Sequence, residues 1–372
     1  MNLTAPELSG IELHAIVTEL QPLIGAKIDQ VYQADAKELI LQLHISGSGK
    51  RLVRIVAGRL LYETSHRANT KASEFCLQLR RRIASATITG IGQLGAQRIV
   101  TFTLQKEHPV DLILELFSKG NIILCSADRT IALLLERQHW QSRELRIGVR
   151  YAPPPDVAGI FTLQQGEFMT LLAASEKDKL VTALATGFGL GGLYAEELCT
   201  RAAVDKNTSP KALTDRQREA IGRAFVSLLG ELRAPRGYLW QSGIITPVPV
   251  TRQALQREFA TFHEALDALI STTKARQQQL AVEQRYQQKI QQLRTIIEKQ
   301  QHALAALEAR AAEETRKADA LYENYQQVKG LLEKVEHTHA KGGWNAVREL
   351  LARDKAITAV DLKNKKVELE LG

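Results

Sequence analysis

The stretch Gly187-Phe188-Gly189-Leu190-Gly191-Gly192-Leu193-Tyr194-Ala195-Glu196-Glu197-Leu198 decides how the chain is read. Within it lies glycine–apolar–glycine with an alanine four residues further on, the turn and second helix of a helix-hairpin-helix. Gly189 and Gly191 tolerate φ > 0, and with Gly192 they leave no side chain over the backbone. The first N–H groups of the next helix then face outward, with the positive end of its dipole behind them. Such a hairpin holds a phosphate without reading a base. The same pattern fits a plain glycine-rich turn between two helices, so the rest of the chain has to decide.

On either side the pattern changes character. Residues 162–232 read as helical, with 175–184 before the hairpin, 194–201 after it and Thr214 capping a further helix to Leu232. Upstream, 11–24 reads as a first helix. Residues 27–32, 38–44, 52–56, 86–94, 98–105, 110–116 and 121–126 alternate as half-buried strands. A helix over 73–83 has Phe75, Leu77 and Leu79 toward the core and ends on Arg80-Arg81-Arg82, the favoured sign at a helix C-terminus. The first 150 residues are therefore α+β and mostly antiparallel, not a βαβ nucleotide fold. Pro153-Pro154-Pro155 closes them.

Downstream, 236–250 reads as a short extended pair leading to a linker. From Tyr286 through Ile290, Leu293, Ile297, Leu304, Leu307 and Ala311, apolar residues recur at three- and four-residue steps, with Gln300 in the seam. That predicts a coiled-coil arm, with a break near Ala311-Ala312 and an end at Gly342-Gly343-Trp344. A short helix over 344–351 and a β-hairpin over 356–371, turning at Lys363-Asn364-Lys365, follow. We expect four domains: 1–160, 161–250, 251–340 and 341–372. The chain stops straight after a strand, as a fragment of a longer protein would.

Charge is unevenly spread. The net charge is +8, and residues 51–100 carry nine Lys/Arg against two acids, whereas 252–340 is nearly balanced. A dense basic block on a globular domain points to a polyanion partner; the alternative is a solvated charged face. Cys76, Cys125 and Cys199 read as reduced core residues, and no secretion signal or membrane-length apolar run is visible, so a cytoplasmic protein is expected. No dinucleotide, P-loop or metalloprotease motif is present, and neither a cofactor nor a metal is expected. Arg98, after the Gly95-Ala96-Gln97 turn, is a candidate polyanion contact or a strand-end salt bridge. Glu115 is a second candidate, or a partner for one of the arginines. Lys71, Arg80, Arg81 and Arg82 complete the basic set.

Taken in order, Ile28–Gln33, Phe75–Arg82, Gly95–Ile99, Glu115–Leu124 and the run Gly191–Asn207 resemble the NFACT (RqcH/NEMF/fibronectin-binding protein A-like) family over essentially the whole chain, and its archaeal branch most. The resemblance implies an N-terminal domain similar to that of formamidopyrimidine-DNA glycosylase, a helix-hairpin-helix domain, a coiled-coil arm and a small α/β tip. A C-terminal NFACT-R domain would lie beyond this chain. It implies ribosome-associated quality control: binding of the large ribosomal subunit with its stalled peptidyl-tRNA, and recruitment of tRNA, notably alanyl-tRNA, for untemplated tailing. The ribosome would perform the transfer, so no enzyme is implied. The family's Asp-Arg pair falls on Gln97-Arg98, where glutamine keeps hydrogen bonding and loses the charge. Two other classes are weighed: a DNA-repair-like protein, disfavoured because Asn2 stands where the glycosylase needs a proline amine, and an adhesin, disfavoured by the missing secretion signal. The unpaired arm stripe suggests a homodimer.

Overall fold

The computed structural model describes residues 7–67, 72–140, 143–154, 159–353, 357–361, 363–364 and 366–370. The chain divides into two compact units, 1–277 and 278–372.

The first unit opens with α1 (Gly10–Leu20), capped by Ser9 and Glu12 in a reciprocal capping box. Four strands follow, β1 (Lys27–Asp35), β2 (Glu38–Ile45), β3 (Gly49–Val56) and β4 (Leu60–Glu63), then α2 (Glu74–Ile83) with Ser73 as its cap. Next come β5 (Thr87–Gln93), β6 (Ile99–Gln105), β7 (Pro109–Glu115), β8 (Asn121–Ser126) and β9 (Ile131–Leu134), and the short pair β10 (Gln138–His139) and β11 (Glu144–Leu145). The first nine strands form one antiparallel sheet in the order β4-β3-β2-β1-β5-β6-β7-β8-β9. Its two halves join where Lys27 stands opposite Thr87, through backbone hydrogen bonds from Ile28 to Ala86 and from Ile88 to Ala26. The α+β antiparallel expectation holds, while β4, β9, β10 and β11 are additions too short for alternation to show.

Strand β8 is buried on both faces. Ile122 and Leu124 enter the main core, whereas Ile123 and Cys125 pack with Ile99, Ile113 and Tyr151 in a separate cluster. Such a strand shows no polar alternation. On α2, Leu79 is fully buried but Leu77 is exposed, which corrects its expected place near the core. At helical spacing Cys76, Leu79 and Ile83 share the inner face and Leu77 falls outside it.

The helical segment that follows comprises α3 (Gln165–Ala173), α4 (Leu180–Thr182) continuing into a π turn at Ala183–Gly187, α5 (Gly191–Arg201) and α6 (Asp215–Glu231), capped by Thr214. The expected helix over 175–184 is therefore irregular over 175–179, and the hairpin's first helix is short, a single α turn running into a widened one. The wide turn is closed by the Phe188 N–H donating to the Ala183 carbonyl. Strands β12 (Gly237–Trp240), β13 (Ile245–Thr246) and β14 (Leu255–Phe259) form a small sheet, so the expected linker is ordered strand. One continuous apolar core runs from Leu8 to Ile270, with no gap at the boundary expected near residue 160.

Helix α7 (Phe262–Glu323) is unbroken through Ala311-Ala312; the interruption lies at Asn324, before α8 (Tyr325–Leu351). Two adjacent alanines favour helix, so the expected break had no local cause. In the second unit α8 kinks at Gly343 (φ 66°), and β15 (Ile357–Asp361) pairs with β16 (Lys366–Leu369) across a turn held by Asp361. Lys365, expected in that turn, lies outside the described residues. Among the described residues no helix is long and apolar enough to cross a membrane.

The start of α7 is anchored by a buried carboxylate. Glu19 of α1 accepts the N–H groups of Phe262 and His263, at 2.6 and 2.9 Å, an anion at a helix N-terminus. His263 Nδ1 accepts the Glu63 N–H at 3.0 Å, and its Nε2 lies 3.5 Å from Glu19. Burial lowers the His263 imidazole to about 3 and raises the Glu19 carboxyl to about 7. The depressed histidine contributes stability above its ordinary value of 6.5 that is lost as pH falls toward 3. The raised carboxyl acts oppositely, its contribution present below 4.5 and lost as pH rises through about 7. We therefore expect the stability gap between wild type and His263→Gln, measured by urea unfolding at pH 7, 6 and 5, to narrow toward acid. The limiting slope is ~1.4 kcal/mol per pH unit.

Candidate functional site

Three segments meet at the N-terminus of α1. Gly10 has its Cα so close to the 95–98 turn that a Cβ there would stand 2.3 Å from the Ala96 carbonyl oxygen and 3.4 Å from that of Gly189. Only glycine permits this approach. Gln93 secures the turn from below, donating to the carbonyls of Gly10 and Gln97, each at 2.9 Å.

The hairpin adopts the expected backbone, with φ of 66° at Gly189 and 75° at Gly191; Gly192 lies in the first turn of α5. No side chain caps that helix, so its first N–H groups and dipole are not met by a local oxygen. The helix is held from behind. Glu197 accepts from Arg201 at 2.7 Å and from the Thr251 N–H at 3.0 Å, while Arg201 forks onto Glu231 at 2.7 and 3.0 Å. Lys206 pairs with Glu196 at 2.7 Å, and the Lys206 and Thr208 carbonyls receive the N–H groups of Val181 and Leu180. The Asp205-Lys206-Asn207 run thus locks the hairpin rather than extending its cationic surface.

A cavity of about 570 Å³ lies where these segments meet. Leu8, Ala96, Phe117, Pro154 and Ala185 supply its apolar wall; Glu7, Ser9, Gln97 and Arg98, with the backbone of Gly10, Gly189 and Gly191, supply its polar atoms. The structure therefore joins the glycine hairpin to the Gln97-Arg98 turn, two features about ninety positions apart in the sequence. Arg98 is 27 % exposed and donates to Glu7 at 3.2 Å and to the Leu8 carbonyl at 3.3 Å. Gln97 donates to the Pro154 carbonyl at 3.5 Å. Below the cavity floor Glu12 accepts from the Ser9 N–H at 2.7 Å and from the Tyr194 hydroxyl at 3.0 Å. Burial pushes the Glu12 carboxyl up, against the pull of those hydrogen bonds and of the Arg98 charge. The Ser9–Glu12 spacing was a capping signal open to sequence reading; Tyr194 as the third partner was not.

The other candidates lie elsewhere. Arg80 turns inward and chelates the Val31 carbonyl at 2.6 and 3.2 Å, Arg82 bonds Gln78, and Arg81 is exposed. None of the three lines the Arg98 cavity. Lys71 lies outside the described residues, as do Asn2 and Pro155. Arg54 is buried against Glu38 at 3.0 Å, so the 51–100 block is not one basic face.

Glu115 is 1 % exposed and is no ligand contact. It takes Arg143 at 2.5 Å and the Tyr151 hydroxyl at 2.9 Å, with the Arg143 guanidinium over the Trp140 ring at 4.6 Å. This corrects the candidate role in favour of the ion pair. The pair supports the end of β7, next to the Leu116 N–H that bonds the Arg98 carbonyl at 2.8 Å, and to Phe117 in the cavity wall. Removing one partner of a buried pair leaves an uncompensated charge, so Glu115→Ala should cost ~3–5 kcal/mol in chemical denaturation. Arg98→Ala, loosely paired at the surface, should cost less than ~1 kcal/mol.

The family model described as NFACT N-terminal and middle domains matches residues 9–367. An archaeal Rqc2 homolog, aRqcH of Methanocaldococcus jannaschii, is 25% identical over 369 residues, covering 94% of this chain and 55% of that protein. RqcH of Streptococcus pneumoniae is 28% identical over 199 residues, 48% of this chain and 36% of that protein. The chain thus spans about half the length of its archaeal relative and less of the bacterial one. Among solved structures, the N-terminal part of the fibronectin/fibrinogen-binding protein of Streptococcus suis superposes with a TM-score of 0.60 at 20% identity, over 72% of this chain and 100% of that one. That likeness shows the fold. The match over nearly the whole length shows that the chain belongs to the NFACT family and carries its N-terminal and middle domains.

Proposed function

We propose that the protein is a ribosome-associated quality control factor that recruits tRNA through the cavity between the glycine hairpin and the Gln97-Arg98 turn. One observation carries this reading: Arg98 and the uncapped, positive-φ hairpin line the same cavity. A guanidinium beside helix N–H groups suits a phosphodiester. The names of the relatives, Rqc2 and RqcH, supply the ribosomal context. On this reading the partners are the large ribosomal subunit, peptidyl-tRNA and tRNA, alanyl-tRNA by the family's precedent, in the cytoplasm, with a second copy joined through the arm. The protein positions and the ribosome catalyses. Gln97 offers an amide where an acid would repel a phosphate, so Gln97→Asp should change which tRNA is preferred more than how the protein folds.

Phosphate contacts make tRNA affinity fall linearly with the logarithm of salt. Arg98→Ala should weaken tRNA binding in fluorescence anisotropy and reduce that slope by about 0.9, one contact's worth. An unchanged affinity and slope in a folded variant would remove the cavity from the reading. Tighter binding to duplex DNA than to tRNA would favour a repair protein instead.

A further inference from the structure

We propose that Glu7 is an internal placeholder for the ligand's phosphate: its carboxylate occupies the seat on Arg98 that the RNA takes, so that binding exchanges one anion for the other. This deepens the tRNA reading of the same cavity and rests on it; the experiment below lets the two fail separately. Among the described residues that line the cavity, Glu7 and Arg98 are the only charged ones. Arg98 Nη1 donates to the Glu7 carboxylate at 3.2 Å and to the Leu8 carbonyl at 3.3 Å. With Glu7 seated, the side chains of the lining carry no net charge. A phosphodiester entering the cavity therefore meets a carboxylate already on the one guanidinium that would attract it. Carboxylate and phosphate present the same kind of oxygen pair to a guanidinium, so the two compete for one set of donors.

The surroundings suit exchange rather than a permanent pair. The Glu7 side chain is 61% exposed and that of Arg98 27%. A pair so open to water adds little to stability and is broken easily. The Glu115–Arg143 pair, with side chains 1% and 7% exposed, is the opposite case. The main chain after Glu7 is fixed: Leu8 is buried and its N–H donates to the Arg59 carbonyl at 3.2 Å, while the Ser9 N–H donates to Glu12 at 2.7 Å. Glu7 can thus turn toward solvent by its own side-chain rotations without disturbing α1.

Arg98 stays in place when Glu7 leaves. The Leu8 carbonyl still accepts from its Nη1, and its own carbonyl accepts the Leu116 N–H at 2.8 Å. What the exchange exposes is a cation beside the uncapped first turn of α5. As a phosphate departs, the carboxylate returns to the guanidinium. The site therefore binds RNA more weakly, and releases it faster, than Arg98 alone would.

The test is a double-mutant cycle on the whole chain, read by fluorescence anisotropy with a labelled tRNA transcript at one salt concentration. Glu7→Gln keeps the shape and hydrogen bonding of the side chain and removes its charge. It should tighten tRNA binding about fivefold, the weight of one exposed ion pair, and slow dissociation in stopped flow. Glu7→Ala should do the same, and neither should tighten binding in the Arg98→Ala background. If Arg98→Ala weakens binding but loss of the Glu7 carboxylate leaves it unchanged or weaker, the placeholder is overturned and the tRNA reading stands. A gain of equal size with and without Arg98 is a general loss of negative charge, and it overturns the placeholder too. If Arg98→Ala leaves tRNA binding unchanged, the tRNA reading of the cavity falls, and the placeholder with it.

Discussion

The half-buried Glu12 carboxylate is the constraint on which the candidate site depends. A carboxylate away from water is costly unless hydrogen bonds satisfy it. Glu12 is satisfied by its own helix cap at Ser9, by Tyr194 on α5 and by the field of Arg98. Those partners come from the start of the chain, the hairpin and the sheet. Because Tyr194 bonds the acid that caps α1, the hairpin cannot move away from the start of α1 without breaking that hydrogen bond. Gly10 acts in the same place by sterics, since any side chain there would push the Ala96 carbonyl away.

Charge in this protein divides into structural and available parts. Arg54, Arg143 and Arg201 lie within ion pairs that are largely shielded from water, and Arg80 is spent on a backbone carbonyl. Desolvated guanidiniums of this kind position elements and do not attract a distant polyanion. Arg98 differs in being partly exposed and paired with an exposed glutamate that solvent screens. A small number of placed cations beside free helix N–H groups is a better phosphate site than a large net charge.

A second carboxylate, Glu19, does for α7 what Glu12 does for the hairpin. It supplies the oxygen that the first N–H groups of a very long helix lack. His263, kept neutral by burial, sits between Glu19 and the Glu63 N–H, so the root of α7 and strand β4 are linked through a group that resists protonation.

Local pattern was enough for much of this. Alternation revealed seven of the sheet's strands, Ser73 and Thr214 marked helix starts, and Gly189 and Gly191 announced their positive φ because no other residue type accepts it cheaply. The heptads of α7 were legible for the same reason: each rests on spacing within one element. What could not be read was any property set by two elements at once. The sequence shows Glu115 as an acid after a strand; only packing against Arg143 and Tyr151 makes it a buried partner instead of a ligand contact. Leu77 looks as apolar as Leu79, and helix phase against the sheet exposes one and buries the other. The amino-acid sequence by itself determined the helices, the strands and the hairpin's backbone, because those follow from neighbours along the chain. The tertiary structure alone decided that Arg98 meets Gly189 and Gly191 around one cavity, because close approach at Gly10 and satisfaction of Glu12 are contacts between segments that the chain order keeps apart.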